Sequence, residues 1–443
     1  MLAPQKVMEQ QEQHPRLQPG SDLATTTVPA LLEQVRSLQH SSGEELYLYF
    51  TGIEELIATN LVEVFCQTLI HTNITSCVVE TGGSQLADTN PTDDQYVLFL
   101  ERLGDSLAQL DHVLVLETTR LRDATILLNR QPTSAIAYLT VNVRRDNGLS
   151  EAEVVGEAKA FADALAGQPS VKQLVVHLGS PHHWNNEVVE NVFGSTGALP
   201  QLSSVTISGS SWLTATSNQA KMLKLSKLSL RNITMASSLE TLNLNDAFLS
   251  RSILQQLTSL LHAREQLSTL CIANCRFENH PGGIEFAMAL SDEESLHLKH
   301  FTLIRGDTAD GTDAHMMQLE ELMLMTLVHA AMTNFKTEIE YRPSNYHTLE
   351  HTDSSSAEDE TLSLGERPRT FDEYASLLDA IRAMNRAGRK YIKDDPGSKE
   401  KGAKVLYSVR DNLDALFLHL RENPKLFGSL DDQSNHGEVD QGT

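Results

Sequence analysis

The sequence has little from which to build a chemical site. Its 443 residues include four cysteines, two tryptophans and 5% aromatic side chains in all. Cys66, Cys77, Cys271 and Cys275 are too few for a disulfide scaffold. Cys271-x3-Cys275 has no second Cys/His pair nearby and falls short of a zinc set. Basic residues are also scarce, with 35 Lys and Arg against 59 Asp and Glu, a formal net charge of −24. Phosphate backbones are held by clustered Lys and Arg, so nucleic acid is not an expected partner. Nor is a membrane: no apolar run approaches the roughly 18 residues of a span, and the polar, Gln-rich stretch Met1 to Gly20 does not suit a signal peptide. A soluble intracellular protein is expected, cytoplasmic with the nucleus also open to it. The sequons at Asn73 and Asn232 would then go unglycosylated. Phosphate-loop, hydrolase-elbow and zincin motifs do not occur. No acid, base and nucleophile set can be assembled, so no enzyme, cofactor or metal site is expected.

What the chain does have is apolar periodicity. Hydrophobic residues make up 40% of it, yet a single core stops growing beyond about 250–300 residues. A chain this long must divide into domains or lengthen its core with its sequence. The stretch Leu267-Ser-Thr-Leu270-Cys-Ile272-Ala-Asn-Cys275-Arg-Phe277 favours the second solution. It reads L-x-x-L-x-L-x-x-C-x-F, a leucine-rich-repeat consensus. Leu270 and Ile272 alternate as in a strand and point to one face. Cys275 falls where the chain turns out of the strand, and its weakly polar thiol tolerates burial there. One such coil cannot bury its apolar face alone, so further coils are expected.

Ten more strand-like segments recur, at Leu46–Leu48, Cys77–Val79, Val113–Val115, Leu139–Val141, Leu174–Val176, Val205–Ile207, Leu228–Leu230, Leu242–Leu244, Phe301–Leu303 and Leu322–Leu324. Their mean interval is about 28 residues, inside the 20–29 range of such repeats. The connections read as helices, at Ile53–Ile70, Tyr96–Leu107, Asn186–Phe193 and Leu249–His262, and after Leu149, where Ser150 and Glu153 form a capping box. A parallel crossover needs a dozen or more residues. The short step from Leu228 to Leu242 therefore means either a coil with a bare outer loop or one misassigned strand.

The chain divides accordingly. Residues 1–27 are expected to be disordered, and 28–341 to form the solenoid, with a short helix at Pro29–Leu38 covering its open end. Residues 342–370 read as an acidic disordered linker. Residues 371–427 read as a helical hairpin capping the last coil, and 428–443 as a disordered acidic tail.

With this signature, repeat length and helical connections, residues 44–341 resemble the ribonuclease-inhibitor-like class of leucine-rich-repeat proteins. The match is specific at Leu267–Phe277, fair at Leu239–Asn245 and Leu319–Leu324, and loose before residue 200. The tail from Leu378 through Met384-Asn385-Arg386-Ala387-Gly388-Arg389 to Asn423-Pro424 is similar to one on uncharacterised repeat proteins of single-celled algae, which carries no known activity. The resemblance implies a right-handed α/β solenoid, a horseshoe with its parallel sheet inside and helices outside. It also implies a noncatalytic protein-interaction scaffold. The alternative is a regulator of another enzyme, either small-GTPase-activating or a ubiquitin-ligase substrate adaptor, although no F-box-like segment precedes the repeats.

Residues between core positions on each strand should face the concave side. The central column then runs Tyr47, Val78, Leu114, Thr140, Val175, Thr206, Ser229, Asn243, Cys271, Thr302 and Met323. Its N-terminal end is apolar. With Tyr49 and Leu116 from the next column, Tyr47, Val78, Leu114, Thr140 and Val175 are the candidate partner-binding residues, unless residues 1–40 fold over them and make them core. A monomer with a protein partner is expected. Two further clusters read as surface. His177, His182 and His183 beside Trp184 lack a fourth ligand. Arg382, Arg386, Arg389, Lys390 and Lys393 form a stripe that either answers the acidic linker or docks an acidic partner.

Overall fold

In β1 (Glu45–Tyr49), Leu46 and Leu48 are buried while Glu45, Tyr47 and Tyr49 are exposed. Most of the long strands described repeat that alternation, with one face on a helical layer and the other more open. The structure, a computed structural model, describes residues 28–38, 45–80, 93–110, 113–131, 136–143, 150–178, 185–194, 199–209, 223–224, 238–263, 265–277, 280–293, 296–304, 314–342, 371–394 and 398–423. The chain divides into two units, Met1–Arg144 and Arg145–Thr443.

The first unit runs α1 (Val28–Ser37), β1, α2 (Phe50–Ala58), α3 (Val62–Leu69), β2 (Ser76–Glu80), α4 (Asp93–Leu107), β3 (Val115–Thr118), α5 (Leu121–Asn129) and β4 (Tyr138–Val143). The strands pair in parallel in chain order. Leu46, Cys77, Leu116 and Leu139 form one buried row. The helices complete the core through Phe65 and Phe99, whose rings lie 6.5 Å apart. The segment Ile53–Ile70 is two helices, because the chain turns at Asn60 with φ 55°, a left-handed conformation that Asn accepts more readily than most residues. Helix α1 packs against α2 and α3. Its first amide, on Val28, donates to Glu55 Oε2 at 3.1 Å.

The second unit continues with α6 (Glu151–Ala166), β5 (Gln173–Leu178), α7 (Asn185–Gly194), β6 (Ser204–Ser208), β7 (Leu223–Lys224), β8 (Thr241–Asn245), β9 (Ala247–Leu249), α8 (Arg251–Ala263), β10 (Thr269–Ala273), β11 (Arg276–Phe277), α9 (His280–Ala289), β12 (His300–Ile304), α10 (Ala314–Thr333) and β13 (Glu338–Arg342). The parallel order is β5-β6-β8-β10-β12-β13, and β7, β9 and β11 make a short sheet of their own. The capping box of α6 forms: the Ser150 amide donates to Glu153 Oε2 at 2.7 Å and the Glu153 amide to Ser150 Oγ at 3.4 Å. Bonded positions lie 28 residues apart between the β8 and β10 coils and 31 apart between those of β5 and β6.

Around Leu270 the coil forms as its consensus requires. Leu270 and Ile272 are fully buried. The Cys275 thiol donates to the carbonyls of Leu244 and Ala273, each at 3.3 Å. Burial pushes this thiol up to about 12, so it stays protonated and structural.

Two strand expectations need correction, and a third lies outside the described residues. β3 begins at Val115, not Val113. The segment Leu322–Leu324 lies inside helix α10, and the next strand is β13, with Ile339 and Tyr341 buried. Leu228–Leu230 lies outside the described residues, but β6 pairs directly with β8, Thr206 opposite Asn243 and 37 residues away. No further strand can stand between them.

Beyond residue 370 the expected hairpin is four helices: α11 (Phe371–Arg386), α12 (Arg389–Asp394), α13 (Lys399–Val409) and α14 (Leu413–Glu422). Helix α11 buries Leu378, Ile381 and Met384 and packs on α10 and β13. Asn385 Nδ2 donates to the Ala331 carbonyl at 2.9 Å. Four residues of the basic stripe pair within the chain; the side chain of Lys393 lies outside the described ones. Arg382 pairs with Glu338 at 3.3 Å and Glu340 at 2.9 Å, Arg386 with Glu338, Arg389 with Glu422 at 2.8 Å and Lys390 with Glu293. The segments expected to be disordered, 1–27, most of 342–370 and 428–443, lie outside the described residues.

Candidate functional site

The open face of the first unit is set by strand register. In its central row Tyr47 stands beside Val78, Val78 beside Glu117, and Glu117 beside Thr140. One flanking row holds Glu45, Ser76, Val115 and Tyr138, and on the other side Tyr49 stands beside Glu80. Of the candidate residues, Tyr47, Tyr49, Val78 and Thr140 share this face.

Leu114 and Leu116 do not belong to it. Leu116 is completely buried, between Cys77 and Leu139 in the core row. Leu114 precedes β3 and is 43% exposed. Its carbonyl accepts from the Ala137 and Tyr138 amides at 2.8 and 2.9 Å, so it serves as a backbone link to β4. The place expected for Leu114 belongs to Glu117. The face is therefore aromatic and acidic rather than apolar.

Tyr47 and Tyr49 are both exposed, with ring centroids 6.4 Å apart and planes 14° from parallel. The Tyr47 hydroxyl donates to Glu45. Partial burial, that hydrogen bond and the charges of Glu45 and Glu117 all raise the Tyr47 phenol above its ordinary value. It stays neutral and keeps its proton as a donor. Asn142 Nδ2 donates to Glu117 Oε1 at 3.2 Å and orients that carboxylate. None of the four strands carries a lysine or arginine. The result is a negative surface with two π faces on it. Helix α1 leans on α2 and α3; residues 1–27 and 39–44 lie outside the described residues.

Val175 stands on the open face of the second unit, in a row with Thr206, Asn243, Cys271, Thr302 and Glu340. Glu340 takes the place expected for Met323, which belongs to α10. This row is polar. Asn243 Nδ2 donates to Thr206 Oγ1 at 2.9 Å, and burial pushes the Cys271 thiol up to about 11. Its far end is closed by the Arg382 pairs with Glu338 and Glu340.

Among the described residues no three His, Cys, Asp or Glu side chains are grouped to hold a metal ion. His182, His183 and Trp184 lie outside them. No described helix is long and apolar enough to cross a membrane. Sequence reasoning missed Glu45, Glu80 and Glu117, although each stands in or next to a strand already recognised. Counting alternate positions outward from Tyr47 and Val78 would have found the first two.

No protein-family model matches the chain, and no curated protein does. Among solved structures, the crystal structure of a protein from Bacteroides fragilis is similar at 13% identity and a TM-score of 0.30, covering 55% of this chain and 68% of that one.

Proposed function

We propose that the protein is a noncatalytic interaction scaffold, a solenoid of the ribonuclease-inhibitor-like leucine-rich-repeat kind, that seats a basic segment of a protein partner on the open face of its first unit. The observation that carries this reading is the stacked pair Tyr47 and Tyr49, exposed among Glu45, Glu80 and Glu117. A guanidinium or ammonium over a tyrosine ring gains about 0.5–1 kcal/mol at an exposed site. Carboxylates at the rim add attraction and speed encounter. Tyrosines of this kind are the usual anchors of an interface. The solenoid reading rests on in-register parallel strands, the 28-residue step between the β8 and β10 coils and the half-buried Cys275 turn, whose thiol bonds back to the preceding coil.

Fluorescence anisotropy of the full chain with labelled 12-residue peptides tests the reading. An Arg/Lys-rich peptide should bind and weaken as salt rises, while a Glu-rich peptide of equal length should not bind. Replacing Tyr47 and Tyr49 together with Ser should cost about tenfold or more in affinity, as expected for hot-spot residues, and leave the melting temperature unchanged. Equal binding of both peptides, or an unaffected double variant, would reject it.

A further inference from the structure

Helix α14 is apolar on two opposite sides. Ala415, Leu418 and His419 are buried in the C-terminal bundle. On the far side Leu413, 77% exposed, Phe417, 66% exposed, and Leu420 form a stripe at i, i+4 and i+7. A single exposed leucine is ordinary. A helix with apolar residues on two opposite sides normally has both sides covered. Next to the stripe, Leu377 and Ala380 of α11 and Phe417 and Leu418 of α14 line a groove of about 510 Å³. Glu373, Ser376, Asp414 and Arg421 complete its lining. Neither Asp414 nor Arg421 has an opposite charge as partner among the described residues.

We propose that a second copy of this chain covers this face, the two α14 helices packing antiparallel about a two-fold axis near Phe417. Two features select a second copy over another occupant. First, the same face carries both a projecting aromatic ring and a groove of apolar lining, and a two-fold interface needs both on one surface. Second, the charges are self-complementary. Asp414 lies in the first turn of α14 and Arg421 in the last, and about two helical turns separate them along one edge. An antiparallel partner sets each Asp414 opposite the other copy's Arg421, whereas a parallel one sets like against like. Opposed helix dipoles favour the same orientation.

The contact is small, since a ten-residue helix is about 15 Å long and a standard interface takes about 800 Å² from each partner. The dimer is therefore weak and reversible. It departs from the monomer expected from the sequence. It is also independent of the basic-peptide reading, because it uses no residue of the first unit.

Sedimentation velocity of the full chain over a wide concentration series tests the proposal. The expected result is a monomer–dimer equilibrium that Phe417→Ser shifts to monomer without changing thermal melting, since the ring is exposed. Asp414→Arg and Arg421→Asp should each weaken the dimer about tenfold, and the double reversal should restore it. A chain that stays monomeric throughout overturns the proposal and leaves the groove to residues 428–443 or to an unrelated helix. So does a Phe417→Ser variant that dimerises as tightly as the parent, or a double reversal that restores nothing.

Discussion

Val78 of β2 stands directly beside Glu117 of β3 on the open face of the first unit. Adjacent strands are about 4.8 Å apart, so Glu117 lies roughly 10 Å from Tyr47, two strands away. At that distance the carboxylate still acts on the phenol, whose proton it helps to hold. The row from Tyr47 to Thr140 thus presents an aromatic anchor at one end and a fixed negative charge two strands on, an arrangement suited to an extended cationic chain crossing the strands.

Charge reversal at that position is the sharpest test of the electrostatics. Glu117→Lys should lower the affinity for an Arg/Lys-rich peptide by about tenfold or more, since like charges across an interface are costly. Stability should change by no more than about 0.5 kcal/mol, the usual range for a surface position. Titration calorimetry and a melting curve read the two effects separately. Unchanged affinity would place the peptide elsewhere.

The register of β3 makes a second prediction. Leu116→Ala removes a fully buried side chain and should cost about 2–5 kcal/mol. Leu114→Ala, at a 43% exposed position, should cost far less. Chemical denaturation of the two variants measures the difference, and equal losses would contradict the register. The same pair shows why the sequence misread this strand. Val113-Leu-Val-Leu116 is apolar at every position, so a period of two has nothing to count. Only the hydrogen bonds of β2 and β4 choose which leucine faces in. At Leu267–Phe277, by contrast, consensus residues alternate with polar ones, and strand, turn and core were all legible. The strand β13 was overlooked for the opposite reason. Its Ile339 and Tyr341 alternate well, but Glu338 and Glu340 give it the look of a solvated segment until Arg382 and Arg386 are brought over them.

Those arginines give the C-terminal bundle its dependence on pH. Burial alone would raise Glu340, but the guanidiniums of Arg342 and Arg382 more than reverse that and hold its carboxyl below the usual value. A carboxylate with a lowered folded value contributes stability above its unfolded value of about 4.3, and loses it as pH falls through the folded value. Docking of α11 on β13 should therefore weaken below about pH 4. Arg382→Gln should lessen that acid sensitivity, the part owed to Arg342 remaining. It should also destabilise the second unit by about 1–3 kcal/mol, because Arg382, with only 19% of its side chain exposed, is the shared partner of two partly buried glutamates. Hydrogen exchange of α11 across pH 3–6 would show both effects. Parallel profiles for the parent and Arg382→Gln would reject the pairing as the cause.

The turns that follow the strands of the second unit carry the last prediction. Gly209, Asp246 and Asn274 occupy equivalent places after β6, β8 and β10. Each amide donates to the next coil, Gly209 to the Asn245 carbonyl at 2.9 Å, Asp246 to that of Ala273 at 3.0 Å and Asn274 to that of Ile304 at 2.9 Å. Asp246 and Asn274 both take φ of 53°, which short polar side chains tolerate. At Gly209 the requirement is space rather than a positive φ: a Cβ there would sit 2.3 Å from the Asp246 carbonyl oxygen. That oxygen belongs to backbone already held in the ladder and cannot turn aside as a side chain would. Gly209→Ala should therefore force the two coils apart and cost about 1–3 kcal/mol, as overpacking does. A domain of 150–250 residues shows that as about 2–4 °C of melting temperature per kcal/mol. An Asp246→Asn variant, which leaves the backbone where it is, should melt close to the parent. If Gly209→Ala also melts like the parent, the close stacking of the β6 and β8 turns is wrong.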